Sequence, residues 1–498
     1  MGIPARSERI QPVGLEDSLH DEGWVEAEFG NVDLGHERNQ QRLILIAAAK
    51  AQNPSAQYTE CFAGNRHELK AYYRFIDNKR EAIDPQGILG GHRERTLGRM
   101  KDRERVLVIQ DTTDLDFSER LHCNGLGDTG KNQTGAVSKG LKMHSSLVVG
   151  EDGLPLGVLE TQIYASHYSE TKKAQNRPIE EKESYRWLHT LDDLSGAAEY
   201  LPSTEIICLG DRESDFFELF DHQRRKAPDI QLLVRAQYNR CLEKESRKLF
   251  DHLKALPSMG KGQIEIPRQR EKKSKPSKPG QVALPARTAQ VELRWEKVML
   301  AAPATSQTRK LPAVEVYALL VNEPHPPQGA KAVRWVLLTT VPILSCKLAM
   351  RVLRWYTLRW RIEEWHRVMK SGCHIESHQH RTADRLARAI AIDAVIAWRL
   401  MLLALLGREA PETPCELIFS SWECKLLKKL QPLLASETMG GKKNSLGLGT
   451  ALIIISRLGG ALNRNSREPP GFQTLLRGYR RFHDIALGSK LFSDGKGH

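Results

Sequence analysis

Two short apolar runs that each stop at an aspartate constrain this chain most: RVLVIQD, ending at Asp111, and EIICLGD, ending at Asp211. Apolar runs this short, bounded by polar residues, read as buried strands. A helix-patterned segment, EKESYRWLHTLDDL, lies between them, and FFELF continues the second run as a helix. KMHSSLVVG and GLPLGVLETQIYA read as two further strands joined by the turn Glu151-Asp152-Gly153, and IQLLVRAQ as another. The order is three strands, helix, strand, helix, strand, an α/β layer with a mixed sheet.

The flanks differ from this layer. Residues 1–80 read as a small helical domain: WVEAEFGNVDLGHERNQQRLILIAAAKA carries apolar residues at helical spacing with a start near Asp33, and GNRHELKAYYRFIDN gives a second helix. After the first part of the layer (81–240), residues 241–340 have the alternation of antiparallel strands in RTAQVELRWEKVML, AVEVYALLVNE and AVRWVLLTT, a β-rich insertion. KLAMRVLRWYTLRWRIEEWHRVMKSG reads as one helix within 341–410, and 411–498 as a helical C-terminal domain. A chain of 498 residues exceeds what one hydrophobic core organises.

Composition narrows the class. The most apolar stretch, Leu386 to Leu406, contains Arg388, Asp393 and Arg399, so it reads as a buried helix and no membrane span is expected. The start, MGIPARSERIQPVG, has no apolar h-region, and none of the 8 cysteines forms a CxxC pair; a reducing cytoplasm is expected. The net charge is +13. Region 236–335 holds 19 Lys and Arg against 9 Asp and Glu, and 421–498 holds 13 against 5, so these two segments carry more than the whole excess. Segregated positive charge suits phosphate-contacting surfaces, with nucleic acid as the first partner to consider. Within the first segment, PRQREKKSKPSKPG reads as a basic loop or hairpin tip.

Carboxylates at the carboxyl ends of strands can reach solvent while their strands stay rigid. Asp111 and Asp211 can therefore bridge divalent cations if their strands are neighbours; each is equally a residue that ends a strand. A third element is more specific. Tyr356, Arg359, Glu363 and Lys370 follow Y-x2-R-x3-E-x6-K, spacing that puts all four on one face of a helix. A carboxylate between two cations and a tyrosine suits a phosphodiester; the same pattern suits an ion-paired helix face, such as Arg359 with Glu363.

The segments QDTT, GDRESD and YTLRWRIEEWHRVMKSG resemble the DDE signatures of the transposon-five transposase and its IS-four insertion-sequence relatives. The likeness extends to GNRHELKAYYRFIDN, MHSSLVV, KESYRWL, RWVLLTT, RLGGALNR and GFQTLLRGYRR. It implies an RNase H-like catalytic core interrupted by the β-rich insertion, between a helical N-terminal DNA-binding domain and a helical C-terminal dimerisation domain. It implies Asp111, Asp211 and Glu363 as metal ligands for two Mg2+ ions, with Mn2+ able to substitute; the motif spacing selects Glu363 over the adjacent Glu364. Tyr356, Arg359 and Lys370 match residues that hold DNA backbone, Trp335 one that stacks on an extruded base, and Arg235 an arginine near the cleavage site. Trp335 is also what a core tryptophan looks like, and Arg235 a structural ion-pair partner. The implied activity is cut-and-paste transposition by a homodimer on double-stranded DNA, acting on terminal inverted repeats and target DNA. A structure-specific endonuclease of the same fold, or an inactive DNA-binding relative, is the alternative.

Other features carry less. Cys373, His374, His378 and His380 cluster, but not at a four-ligand zinc spacing. His144 reads as a core or supporting histidine. Glu213 and Asp215 read as supports of Asp211 or as acids at a helix start.

Overall fold

The computed structural model describes residues 23–101, 103–131, 137–166, 178–268, 283–304, 308, 311–434, 446–461 and 471–494. Most of PRQREKKSKPSKPG and of the end of RLGGALNR lie outside them, as does MGIPARSERIQPVG. The chain divides into two compact units. One comprises Met1–Glu104, Thr112–Tyr168 and Arg361–His498; the other, Arg105–Asp111 and Ser169–Trp360.

The first unit opens with helices α1 (Trp24–Phe29), α2 (Glu37–Gln52), α3 (Tyr58–Cys61), α4 (Arg66–Ile76) and α5 (Pro85–Lys101). The helix expected to start near Asp33 starts instead at Glu37. The Asp33 carboxylate accepts from the Gly35 amide at 2.8 Å, closing a turn, and His36 Nδ1 caps the helix by accepting from the Arg38 amide at 3.0 Å. Helix α2 buries Leu43, Ile46, Ala47 and Lys50, the 3.6-residue period the sequence showed. Asn65 caps α4, which buries Tyr72, Phe75 and Ile76. Glu28 of α1 is fully buried and ties that helix to α5 through His92 (2.5 Å) and Arg99 (2.8 Å).

Strand β1 (Arg105–Asp116) is shared, with residues 105–111 in the second unit and the rest in the first. In the first unit β2 (Gly127–Lys131) pairs with β3 (Val137–Gly150), which pairs antiparallel with β4 (Pro155–Tyr164) through the expected Glu151–Gly153 turn. Sequence pattern missed β2: GDTGK has no apolar alternation, and its strand conformation comes from the ladder with β3.

The second unit contributes α6 (Tyr185–Ala198), β5 (Glu205–Gly210), α7 (Phe217–Lys226), β6 (Ile230–Arg235), α8 (Leu249–Ala255), β7 (Gly260–Ile266), β8 (Arg287–Leu300), β9 (Val314–Asn322), β10 (Arg334–Thr339) and α9 (Cys346–Leu358). Its strand order is β1-β5-β6-β10-β9-β8-β7. β1, β5 and β6 are parallel; the remaining strands are antiparallel and continue the sheet from β6 through β10. The expected antiparallel strands of 241–340 thus extend this sheet, and β7 joins them. The result is a mixed sheet with flanking helices.

The first unit resumes with α10 (Trp360–Ser371), α11 (Ala383–Glu409), α12 (Ser421–Leu434), α13 (Leu448–Leu458) and α14 (Phe472–Asp494). Among the described residues α11 alone is long and apolar enough to cross a membrane, and 94% of its most apolar window is buried inside the protein. Its polar residue Asp393 is fully buried and partnered: His378 Nε2 at 2.7 Å, Lys50 Nζ at 3.4 Å, and the Tyr58 hydroxyl, donating at 3.3 Å. Tyr58 and Tyr72 stack with centroids 4.5 Å apart.

Candidate active site

Parallel β1 and β5 pair in a register that matches Arg105 with Glu205 and Ile109 with Leu209. That constant offset carries two residues further to Asp111 and Asp211. The two aspartates therefore stand at the same level on neighbouring strands, whose backbones are about 4.8 Å apart. Asp211 directly follows β5, whereas β1, expected to stop at Asp111, runs on to Asp116, so Asp111 lies within it, just past the end of its pairing with β5. The next strand continues the row: Gly210 pairs with Val234, which sets Arg235 beside Asp211. Leu337 of antiparallel β10 pairs with Arg235, so Trp335, near the start of β10, reaches the same edge of the sheet.

Asp211 is the centre of this row. Its side chain is 33% exposed. The Tyr356 hydroxyl donates to Oδ1 at 3.1 Å. Arg235 Nη1 lies 3.7 Å from Oδ1 and Arg359 Nη2 3.9 Å from Oδ2. These guanidiniums neutralise the carboxylate at distances beyond direct hydrogen bonds. Burial, reinforced by the Asp211 charge, pushes the Tyr356 phenol well above its ordinary pKa, so it remains a donor at neutral pH. Trp335 is half-buried, meets the Tyr356 ring edge-on at 5.3 Å, and has the Arg235 guanidinium 5.8 Å from its ring centre. A tryptophan so placed offers part of its surface to solvent, unlike the core tryptophan its strand context also allowed.

The loop after β5 is fixed by contacts that no local sequence pattern announces. Ser214 donates from Oγ to the Asp211 carbonyl at 2.6 Å. The same hydroxyl leaves no room at position 210: a Cβ there would stand 2.1 Å from it, so only glycine fits. Asp215 is buried and accepts from the Gln237 and Tyr238 amides at 2.6 and 3.0 Å and from both Nε and Nη2 of Arg240 at 3.1 and 2.7 Å. It clamps the β5 loop to the segment after β6, the loop that carries Asp211 to the strand end that carries Arg235. Glu213 is exposed on the intervening 3-10 turn.

The helix expected to carry the whole Y-x2-R-x3-E-x6-K motif is two helices. α9 ends at Leu358 and α10 begins at Trp360, with Arg359 between them donating its amide to the Tyr356 carbonyl three residues back at 3.1 Å. Tyr356 and Arg359 therefore belong to the second unit, and Glu363 and Lys370 to the first. Arg359 Nη2 reaches toward Asp211 within the second unit.

In the first unit, Glu363 occupies the first turn of α10 and Lys370 its last. Glu364, the neighbouring acid, is engaged by Arg361 at 2.8 Å. The Lys370 ammonium donates to the Asp114 carbonyl of β1 and lies 3.5 Å from Glu376. His144 is buried, with Nδ1 3.0 Å from the Thr112 hydroxyl. His366 is buried on α10, and burial, helped by Lys370 and His144, holds its pKa down to about 3. Two histidines beyond α10 have structural partners: His378 bonds Asp393, and His380 Nε2 lies 3.0 Å from the Tyr72 hydroxyl.

Residues 21–80 match a family model described as transposase DNA-binding. The match covers the α1–α4 segment, so this part of the chain is similar to a transposase DNA-binding domain. Among solved structures, the chain is similar to the piggyBac transposase in its cryo-EM synaptic complex with hairpin DNA, at 10% identity over 87% of each chain and a TM-score of 0.35. A likeness at that score says nothing about the substrate or mechanism of this chain.

Proposed function

We propose that this protein is a DNA transposase of the DDE type, with an RNase H-like core, in which Asp111, Asp211 and Glu363 form the catalytic triad. The observation that carries the reading is the shared register of β1 and β5, which sets Asp111 level with Asp211, the carboxylate that Arg235, Tyr356 and Arg359 surround. The parallel β1-β5-β6 trio within a mixed sheet with flanking helices supports such a core. The match of residues 21–80 supports DNA as the substrate.

Hard carboxylate oxygens are the donors that Mg2+ and Mn2+ take. Asp211 fits that role: a carboxylate offers about four lone-pair positions, and a hydrogen bond from Tyr356 occupies one. Asp111, Asp211 and Glu363 would hold the two ions, which when bound activate the attacking oxygen and stabilise the leaving one. The remaining residues position DNA. Arg235, Arg359 and Lys370 attract the phosphates, Tyr356 orients the Asp211 carboxylate through its hydroxyl, and Trp335 presents a ring on which an extruded base can stack. Two copies would hold the paired ends, with the helices of 445–487 making contacts between them.

The test uses the full chain, Mg2+ and a duplex carrying the inverted repeats that flank its gene. Nicking at the repeat ends and joining to a second duplex are expected. Asp111→Asn, Asp211→Asn and Glu363→Gln should each abolish both while leaving end binding intact. Undiminished cleavage by any one of them removes that residue from the triad.

A further inference from the structure

The second turn-rich segment of the first unit brings together side chains that the transposase reading does not use. Cys415 opens a 3-10 turn, Cys415–Leu417, and Cys424 lies in the first turn of α12. Both are buried, and their sulfurs are 3.3 Å apart. Glu416 Oε2 is 3.6 Å from the Cys415 sulfur, and the three ligand atoms all lie within 4.8 Å of one another. The carboxylate is half-exposed, and its other oxygen is held by Lys428 Nζ at 3.3 Å. Backbone bonds fix both cysteines: Cys415 donates to the Leu446 carbonyl and Cys424 to that of Ser420, each at 2.9 Å.

These separations distinguish two chemistries. A disulfide needs its sulfurs at about 2.05 Å, well inside the 3.3 Å found. Around a tetrahedral Zn2+, bonds of about 2.3 Å to sulfur and about 2.0 Å to oxygen place two sulfurs about 3.8 Å apart and a sulfur and an oxygen about 3.5 Å apart. The observed 3.6 Å is close to the sulfur–oxygen edge, the sulfur pair at 3.3 Å would open by about 0.5 Å, and the third edge, from Cys424 to Glu416, lies within 4.8 Å.

We infer that Cys415, Cys424 and Glu416 form a binding site for a thiophilic divalent cation of the Zn2+ class, with water at the fourth position on the exposed Glu416 side. It is a site apart from the proposed Mg2+ triad and does not rest on the transposase reading. Binding replaces two S–H bonds with two metal–sulfur bonds and releases both protons to solvent. Two thiolates and one carboxylate leave the occupied site with one net negative charge, which Lys428 offsets. Because each thiol must lose its proton to ligate, uptake is coupled to proton release and strengthens as pH rises. The ion would staple the turn at Cys415 to α12. No CxxC spacing announces this link, because the cysteines are 9 residues apart and the turn makes the approach.

The full chain, stripped of metal and kept reduced by a phosphine, is titrated with Co2+ and then Zn2+. One ion per chain is expected, with thiolate-to-Co2+ charge-transfer absorption that Zn2+ abolishes. Cys415→Ser and Cys424→Ser should each eliminate that absorption, and Glu416→Gln should weaken binding on the order of tenfold. Because substitution of a buried cysteine can disturb folding, X-ray absorption on the Zn2+-loaded wild-type chain supplies a second readout: two sulfur ligands support the site, and none or four overturn it. Failure of the reduced wild-type chain to take up either ion also overturns it. So does charge-transfer absorption that survives in the double serine variant, or a two-hydrogen mass loss, indicating a Cys415–Cys424 disulfide, in place of metal uptake.

Discussion

Asp211 in the second unit and Asp393 in the first are built from nearly the same parts and behave as opposites. Each receives a tyrosine hydroxyl, at 3.1 and 3.3 Å, and each has two basic side chains nearby. Around Asp393 the basic groups come within 2.7 and 3.4 Å, and the carboxylate has no solvent exposure. Around Asp211 they stand off at 3.7 and 3.9 Å, and a third of the side chain is exposed. The first arrangement is closed: a buried charge needs every partner, and removing one strands the others. The second is open, with oxygens in reach of solvent and cations that can turn to a phosphate. Exposure and stand-off distance, more than residue type, separate a structural lock from a candidate catalytic carboxylate.

The sharpest break of that comparison is an exchange of consequences. Asp211→Asn should cut DNA cleavage by roughly a thousandfold or more, about 4 kcal/mol of transition-state stabilisation, while the denaturation midpoint hardly moves. Asp393→Ala should do the reverse: lost stability of about 3–5 kcal/mol, read by urea unfolding, as Lys50 is left buried without its counter-ion and His378 without its hydrogen-bond partner. If Asp211→Asn unfolds the protein, or Asp393→Ala leaves its stability unchanged, the contrast is wrong.

Acid should weaken the first unit. His366 and His380 have folded pKa values of about 3, each lowered chiefly by burial, below the ordinary histidine value of 6.5. The unfolded chain therefore binds more protons than the folded one between those values. The stability present above pH 6.5 is lost as pH falls toward 3. Near pH 5 the slope should approach about 1.4 kcal/mol per pH unit for each histidine. His366→Gln should remove one histidine's share of that slope in pH-dependent unfolding; an unchanged slope would refute the assignment.

The smallest effects compare the two tyrosines. Tyr58→Phe withdraws a hydroxyl from a carboxylate that water cannot reach and should cost about 1–3 kcal/mol. Tyr356→Phe acts on a carboxylate that water can reach, and should cost less than about 1 kcal/mol of stability. Equal losses in thermal unfolding would show that exposure does not divide the two sites.

Much of the framework was legible because it depends on local pattern. The apolar runs before Asp111 and Asp211, the 3.6-residue period of Glu37–Gln52 and the alternation of Arg287–Leu300 each follow from how a helix or strand buries one side. The motif residues were legible as types at fixed spacings. The interruption at Arg359 was not, because every residue from Tyr356 to Glu363 is compatible with an unbroken helix. Strand β2 was hidden for the opposite reason: its residues have little preference of their own and take their conformation from β3.

By itself the sequence determined which residue types this protein has available and, β2 and the break at Arg359 excepted, which of the segments named above are strand or helix, since those depend on neighbours a few residues away. Only the tertiary structure decided that Asp111 and Asp211 share a level, that Arg240 holds Asp215, and that Cys415 meets Cys424. Strand register, ion-pair choice and side-chain approach are set by energies between residues far apart in the chain, and a linear pattern carries no record of those distances.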